Sequence, residues 1–304
     1  MQAVALDRAA FDSDLPHQPA HGWRRLWSRY RRQRTAMVAL VTVLVIVLAA
    51  LLAPLISPHD PTMVTSDFLS PPSSTYWLGT DATGHDVFSR LLVGARASLL
   101  ASLLAVGLAA SGGTLIGLAS GWLGGFVDSL LMRCTDLVMA FPGLLMAMAV
   151  VGALGPGVVN AMIGLSFAFM PGFARLVRGQ VLAVREESYV EASRVMGARG
   201  GWIVRKHIVP NIMSPLVVQI LMSLGFALLA EGALSFLGLS VQPPSTSLGS
   251  MLQDGFSTIN ETARLILIPG IVITILATCF NAIADGIRDA LGRHELGALM
   301  ETQA

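Results

Sequence analysis

Charge is what this chain most lacks: only 13% of its 304 residues are charged and 54% are hydrophobic, whereas soluble domains average about 25% charged. Lysine is almost missing. The single one, Lys206, stands in Arg205-Lys206-His207, not after the glycines that a phosphate-cradling loop needs before its Lys-Ser or Lys-Thr, so ATP binding by that route is set aside. Two cysteines, Cys134 and Cys279, have no paired spacing and make neither a disulfide framework nor a zinc site. A net charge of +1 gives no support for nucleic-acid binding. Polar sequence is also too scarce to wrap the apolar runs as buried helices of a soluble protein.

What the chain has is long apolar runs. Windows of about 19 residues give six, each near the roughly 20 residues that cross a bilayer: Ala36 to Ile56, Leu99 to Ser120, Leu130 to Val151, Val158 to Val177, Pro215 to Phe236 and Leu265 to Ala284. The expected fold is all-α, a polytopic bundle of six transmembrane helices. The first run follows Arg24, Arg25, Arg29, Arg31, Arg32 and Arg34, but it is too long and too far in for a cleaved signal and reads as an anchor. Basic loops stay cytoplasmic. Placing the N- and C-termini inside leaves only Arg90, Arg96 and Arg264 of the 20 basic residues outside.

The organisation that follows is a cytoplasmic tail over 1–35, the first transmembrane helix over 36–56, and an external loop over 57–98. A five-helix core spans 99–291, with a cytoplasmic loop at 178–211, and 292–304 form a C-terminal tail. The external loop begins with turn chemistry, Ser57-Pro58-His59-Asp60-Pro61 and Ser70-Pro71-Pro72-Ser73. Thr83 and Asp86 then read as a capping box ahead of Val87, Phe88, Leu91 and Leu92, predicting a short amphipathic helix on the outer face. A second external loop, Leu237 to Arg264, carries Gln242-Pro243-Pro244. In the cytoplasmic loop, Ser188 and Glu191 predict a capped helix over Tyr189 to Met196 that stops at Gly197. After a break at Gly200-Gly201, Trp202 to His207 form another turn or two before Pro210 restarts the chain into the fifth span. The loop is thus a helical elbow.

That elbow reads Glu191-Ala192-Ser193, three residues, Gly197, nine residues, His207-Ile208-Val209-Pro210. It resembles the Glu-Ala-Ala and Gly signature of membrane subunits of ABC importers, with Ser193, His207 and Val209 in place of alanine, isoleucine and leucine. Three further stretches are similar to the dipeptide and oligopeptide branch: Leu78-Gly79-Thr80-Asp81 with Asp86-Val87-Phe88-Ser89-Arg90, Ala233 to Leu239 with Gln242-Pro243-Pro244, and Asp285 to Leu291. His85 and Leu248 depart from that branch, where arginine and tryptophan are usual. Both are expected to face outside, where they bear on docking or substrate entry.

The resemblance implies a permease subunit in the bacterial cytoplasmic (inner) membrane, itself no enzyme and without its own cofactor. ATP and Mg would be held by two partner ABC ATPase chains. The other partners would be a second homologous permease, an extracytoplasmic substrate-binding protein and membrane lipid. Glu191, Ala192, Ser193, Gly197, His207 and Pro210 would form the ATPase-coupling elbow. Asp81, His85, Asp86, Gln242 and Pro243 would be docking positions for the binding protein. Di- or oligopeptides are the leading cargo, with nickel, glutathione or another small solute as alternatives.

Blander readings stand beside these. The blander role of Glu191 is a helix cap and that of Gly197 a helix stop. Glu231, a carboxylate inside an apolar run, either lines the substrate path or pairs with a neighbouring helix. Arg175 and Arg178 read as interfacial anchors. Asp81, His85 and Asp86 are conceivable metal ligands, but the motif and a helix cap account for the aspartates. Pro142, Pro171 and Pro269 fall within spans as candidate hinges. A secondary transporter or channel would need paired repeats with mid-membrane carboxylates or broken helices. No such repeat is visible in the sequence. A signalling or assembly protein would use the elbow for docking alone.

Overall fold

The structure is a computed structural model that describes residues 23–301, with side chains from Trp27 to Leu291. A lipid core leaves backbone N–H and C=O groups no partner but each other, which dictates helix wherever the chain is apolar and long. The helices are α1 (Trp23–Tyr30), α2 (Arg34–Leu51), α3 (Ala53–Ile56), α4 (Val87–Leu123), α5 (Gly125–Met139), α6 (Gly143–Leu154), α7 (Val158–Arg185), α8 (Ser188–Val195), α9 (Gly200–Ile203), α10 (Val209–Phe236), α11 (Leu248–Ser257) and α12 (Arg264–Glu301). A π-turn, Val204–Ile208, joins α9 to α10.

Five helical runs are long and apolar enough to span a membrane: α2, α4, α7, Gly200–Phe236 and Arg264–Leu291. The third expected span, Leu130 to Val151, differs. It is the pair α5 and α6, bent by 88°, and counts as a sixth span only if the two are taken together. The bend falls at Pro142, the residue before α6. Proline lacks an N–H and disfavours helix in the residue ahead of it, so the ladder stops there. Pro171 and Pro269, by contrast, sit inside uninterrupted helices.

The separate amphipathic helix expected near Thr83 also takes another form. Asp86, not Thr83, is the N-cap, accepting from the N–H groups of Phe88 and Ser89. Helix α4 then runs 37 residues without a break. The segment before it is ordered without helix: Arg264 donates to the carbonyls of Leu78 at 2.8 Å and Thr80 at 3.0 Å and also to Ser70. Gly79, at φ +78°, passes so close under Arg264 that no side chain fits there.

The core is set by α4 against α7. Gly113, Gly117 and Gly121 recur every fourth residue on one face of α4, where Phe173, Ala174, Val177 and Val181 of α7 pack. A Cβ on Gly117 would lie 2.5 Å from the Ala174 carbonyl oxygen and 2.7 Å from Val177 Cβ. Small residues of this kind let two membrane helices approach to backbone contact, which dispersion alone can hold. Helix α10 packs on α4, α7 and α12, and α2 lies against α12.

Candidate functional site

The elbow comprises α8, α9 and the π-turn. No side chain caps α8: the N-cap is Glu187 and Ser188 is already helical, so the expected Ser188–Glu191 box does not form. Its end is as expected. Gly197 has φ +82°; its N–H donates to Arg194 O at 2.9 Å and that of Ala198 to Ser193 O at 3.0 Å, the paired bonds of a left-handed helix stop.

The Gly200-Gly201 pair opens α9 and breaks nothing. From there helix continues through the π-turn into α10, so Gly200–Phe236 is one 37-residue rod. Pro210 therefore does not restart the chain; it lies just past the π-turn. Its ring would collide with the carbonyl four residues back, and Val209 N–H bonds five residues back to Val204 O, the wider turn that relieves such crowding.

One face of the elbow is buried. Val190, Ile203 and Ile208 are at most 1% exposed. Trp122, at the end of α4, receives the Arg194 guanidinium 5.1 Å from its ring centroid, and a Cβ on Gly200 would lie 3.2 Å from the same indole. Arg185 donates to Gly121 O at 3.2 Å. The other face is open: Glu191, Ala192 and Gly197 are exposed, Val195 and Met196 are 83% and 80% exposed, and Trp202 is 51% exposed. Exposed apolar side chains on a charged segment suit contact with another protein.

Two elbow residues that depart from the importer signature meet each other. Ser193 Oγ donates to Tyr189 O at 2.8 Å and lies 3.3 Å from His207 Nε2. The His207 ring sits between Tyr189 and Trp202, with centroids 5.4 and 5.2 Å away. Because the serine proton is committed to Tyr189, the contact needs the His207 hydrogen on Nε2. Ser193→Ala and His207→Ile should each lower the thermal stability of the solubilised subunit, and the double variant should lose less than their sum by about 0.5–1.5 kcal/mol. Strict additivity would show the contact to be idle.

At the opposite end, the five expected docking residues separate into two groups. Asp81 and Asp86 are 6% and 2% exposed and turn inward. Asp86 caps α4 and accepts from Ser89 Oγ at 2.6 Å. Asp81 accepts from the Thr83 hydroxyl, from His85 N–H at 2.9 Å and from Arg90. Burial works against its charge, but these donors and the Arg90 charge hold its pKa below the ordinary carboxylate range. His85, Gln242 and Pro243 instead line an open cavity of about 560 Å³ with Arg90, Gln253 and Asp254. Leu248, expected to face outside, is fully buried; it opens α11 and its N–H donates to Ser98 Oγ at 3.1 Å. It therefore anchors α11 to α4 and presents nothing to a docking partner.

Glu231 is also fully buried, where α10 meets α4 and α11. Hydroxyls of Ser98, Ser235 and Ser247 flank it, but neither carboxyl oxygen is within hydrogen-bonding geometry of a partner. It lies between helices. Arg178 and Arg175 pair with carboxylates: Arg178 holds Asp128 of α5 through two bonds of 2.6 and 2.7 Å, and Arg175 pairs with Asp136 at 2.5 Å. Those pairs and the Trp122 seat were missed in the sequence. An aspartate inside an apolar run, such as Asp128, was the available signal.

Residues 113–295 match the family described as binding-protein-dependent transport system inner membrane component, and residues 22–72 match the N-terminal TM domain of oligopeptide transport permease C. The glutathione transport system permease protein GsiD of Pectobacterium atrosepticum is 38% identical over 271 residues, 88% of this chain and 90% of that protein. The dipeptide transport system permease protein DppC of Alkalihalophilus pseudofirmus is 38% identical over 270 residues, 88% and 89% of the two chains. A solved structure of the MetNI methionine ABC transporter in inward-facing form shares the fold, with a TM-score of 0.54 at 20% identity over 67% of this chain and 97% of that one. The membrane-length helices, the elbow and these matches make the chain a member of the binding-protein-dependent transport system inner membrane component family, a multi-pass inner-membrane permease subunit of the ABC importer class.

Proposed function

We propose that this subunit, paired with a second homologous permease, carries short peptides inward and is driven by two ABC ATPase chains that seat the elbow in a groove. The observation that carries the reading is the exposed Val195, Met196 and Trp202 surface on a segment whose opposite face is locked to Trp122. The elbow end then lies in the cytoplasm with both termini, and ATP and Mg belong to the ATPases. Closure of the ATPases on nucleotide pushes the elbow, and the unbroken rod from Gly200 to Phe236 carries the push through the membrane as a rigid body.

On the opposite face, the cavity around His85, Arg90, Gln242 and Asp254 receives the extracytoplasmic binding protein. Its mixed charges favour orientation and encounter rate more than affinity. Short peptides are the proposed cargo because the relatives named above are glutathione and dipeptide permeases, and glutathione is itself a small peptide.

Purification from native membranes in mild detergent, followed by mass spectrometry, should recover a second permease and P-loop ATPases. Val195→Asp with Met196→Asp should reduce ATPase recovery at least about tenfold, since desolvating a carboxylate in an apolar contact costs more than about 1.4 kcal/mol. A transport-competent subunit without any ATPase would overturn the proposal.

A further inference from the structure

At the elbow end of the bundle, α1 closes a groove against α10 and α12. Trp27 and Tyr30 stack with centroids 6.0 Å apart, and Tyr30 donates its hydroxyl to Ala36 O at 3.1 Å. Gly286 of α12 lies so close beneath this corner that a Cβ there would be 2.5 Å from Ala36 Cβ and 2.9 Å from the Tyr30 ring. The corner is therefore seated on α12 and the groove is a built one. It encloses about 350 Å³ among Trp27, Tyr30, Met213, Val217, Ile283 and Ile287, and its walls are almost wholly apolar.

The chain adjoining the groove is cationic. Arg29, Arg31, Arg32 and Arg34 flank the lining residues Trp27 and Tyr30 in sequence, and the last three are exposed. None of the four takes part in an ion pair among the described residues. On the α12 side, Asp285, Arg288 and Asp289 nearly cancel one another. Apolar walls next to a cationic stretch of chain fit an amphiphile with apolar chains and a negatively charged head. A second protein chain would have to bring its own acidic patch to the same height.

We propose that this groove is a binding site for an anionic diacyl phospholipid, with an acyl chain against Val217 and Ile287 and the headgroup phosphate on the arginines after α1. The assignment of the site to the cytoplasmic leaflet rests on the orientation proposed above; the binding itself does not. Basic pockets between membrane helices recognise acidic headgroups in this way, and indole and phenol rings settle at the same interface.

The test is native mass spectrometry of the importer complex in mild detergent, with phosphatidylglycerol and phosphatidylcholine added in equal amounts. The parent should retain phosphatidylglycerol in preference. Each surface arginine is worth on the order of a fivefold preference, so Arg31→Gln, Arg32→Gln and Arg34→Gln together should reduce the preference roughly a hundredfold. Val217→Trp, which fills the groove, should remove retention of either lipid while leaving the arginines in place. Equal retention of the two lipids, unchanged retention in either variant, or a parent complex holding no lipid because protein covers the groove would each overturn the proposal. Since the readout is bound lipid and not uptake, loss of ATPase docking would leave it intact, so the two proposals fail separately.

Discussion

Gly117→Val is expected to abolish recovery of a folded, monodisperse subunit. Its Cβ would sit 2.5 Å from a backbone oxygen of α7, and backbone cannot swing aside as a flexible side chain can. The helices must part, and with them go the contacts of Gly113 and Gly121 with Phe173 and Val181. Overpacking in a filled interior costs about 1–3 kcal/mol, and a separated helix pair should exceed that. Gly107→Ala is the matched control, because nothing lies within 4 Å of a Cβ there; it should be silent. Size-exclusion profiles after graded heating in detergent read both. A Gly117→Val protein as heat-resistant as its parent would show that α4 and α7 do not meet at backbone distance.

Gly197→Pro should leave membrane insertion and bundle stability near those of the parent and remove ATP-driven uptake. Proline fixes φ near −65°, whereas Gly197 stands at +82° and uses its N–H on Arg194 O. Both features of the helix stop are lost, and the chain leaving α8 is turned away from the Trp122 seat. Val195 and Met196 then no longer share a surface with Trp202. The elbow lies outside the α4–α7 contact that holds the bundle, which is why folding should survive. Gly197→Ala keeps the N–H and pays only the left-handed conformation, about 1–2 kcal/mol, and should retain part of the uptake. Uptake is measured in proteoliposomes containing the whole importer, with expression and monodispersity as the folding control. Normal uptake by Gly197→Pro would remove the elbow from the coupling path.

Where the sequence read well, the signal was local. Gly197 is a helix stop because only glycine takes a positive φ there without strain, and Asp86 caps α4 because its carboxylate reaches the N–H groups two and three residues on. Apolar runs became helices because lipid offers the backbone no other partner. The elbow was legible for a different reason: its residues carry a resemblance, and Glu191 and Ala192 do lie on the exposed face. The misreadings were local rules applied where a longer-range contact decides. Thr83 with Asp86, and Ser188 with Glu191, each satisfy a capping pattern, but the N-cap is Asp86 in the first case, three positions after Thr83, and Glu187 in the second, one before Ser188. Leu248 was expected outside because it belongs to a loop-rich stretch, yet α11 folds back and buries it against Ser98.

Solvent, apolar helices, family signature and the stop at Gly197 were all legible along the chain, since each depends on composition or on neighbours within a turn. Packing between helices set the rest: that Ser193 meets His207, that Asp128 holds Arg178, that Asp81 and Asp86 turn inward while His85 and Gln242 share a cavity, and that α1 closes an apolar groove against α10 and α12. The physical reason is sequence separation. Those partners come from different helices, and their distance is set by how closely the helices pack, above all at the glycines of α4, and not by anything written between them in the chain.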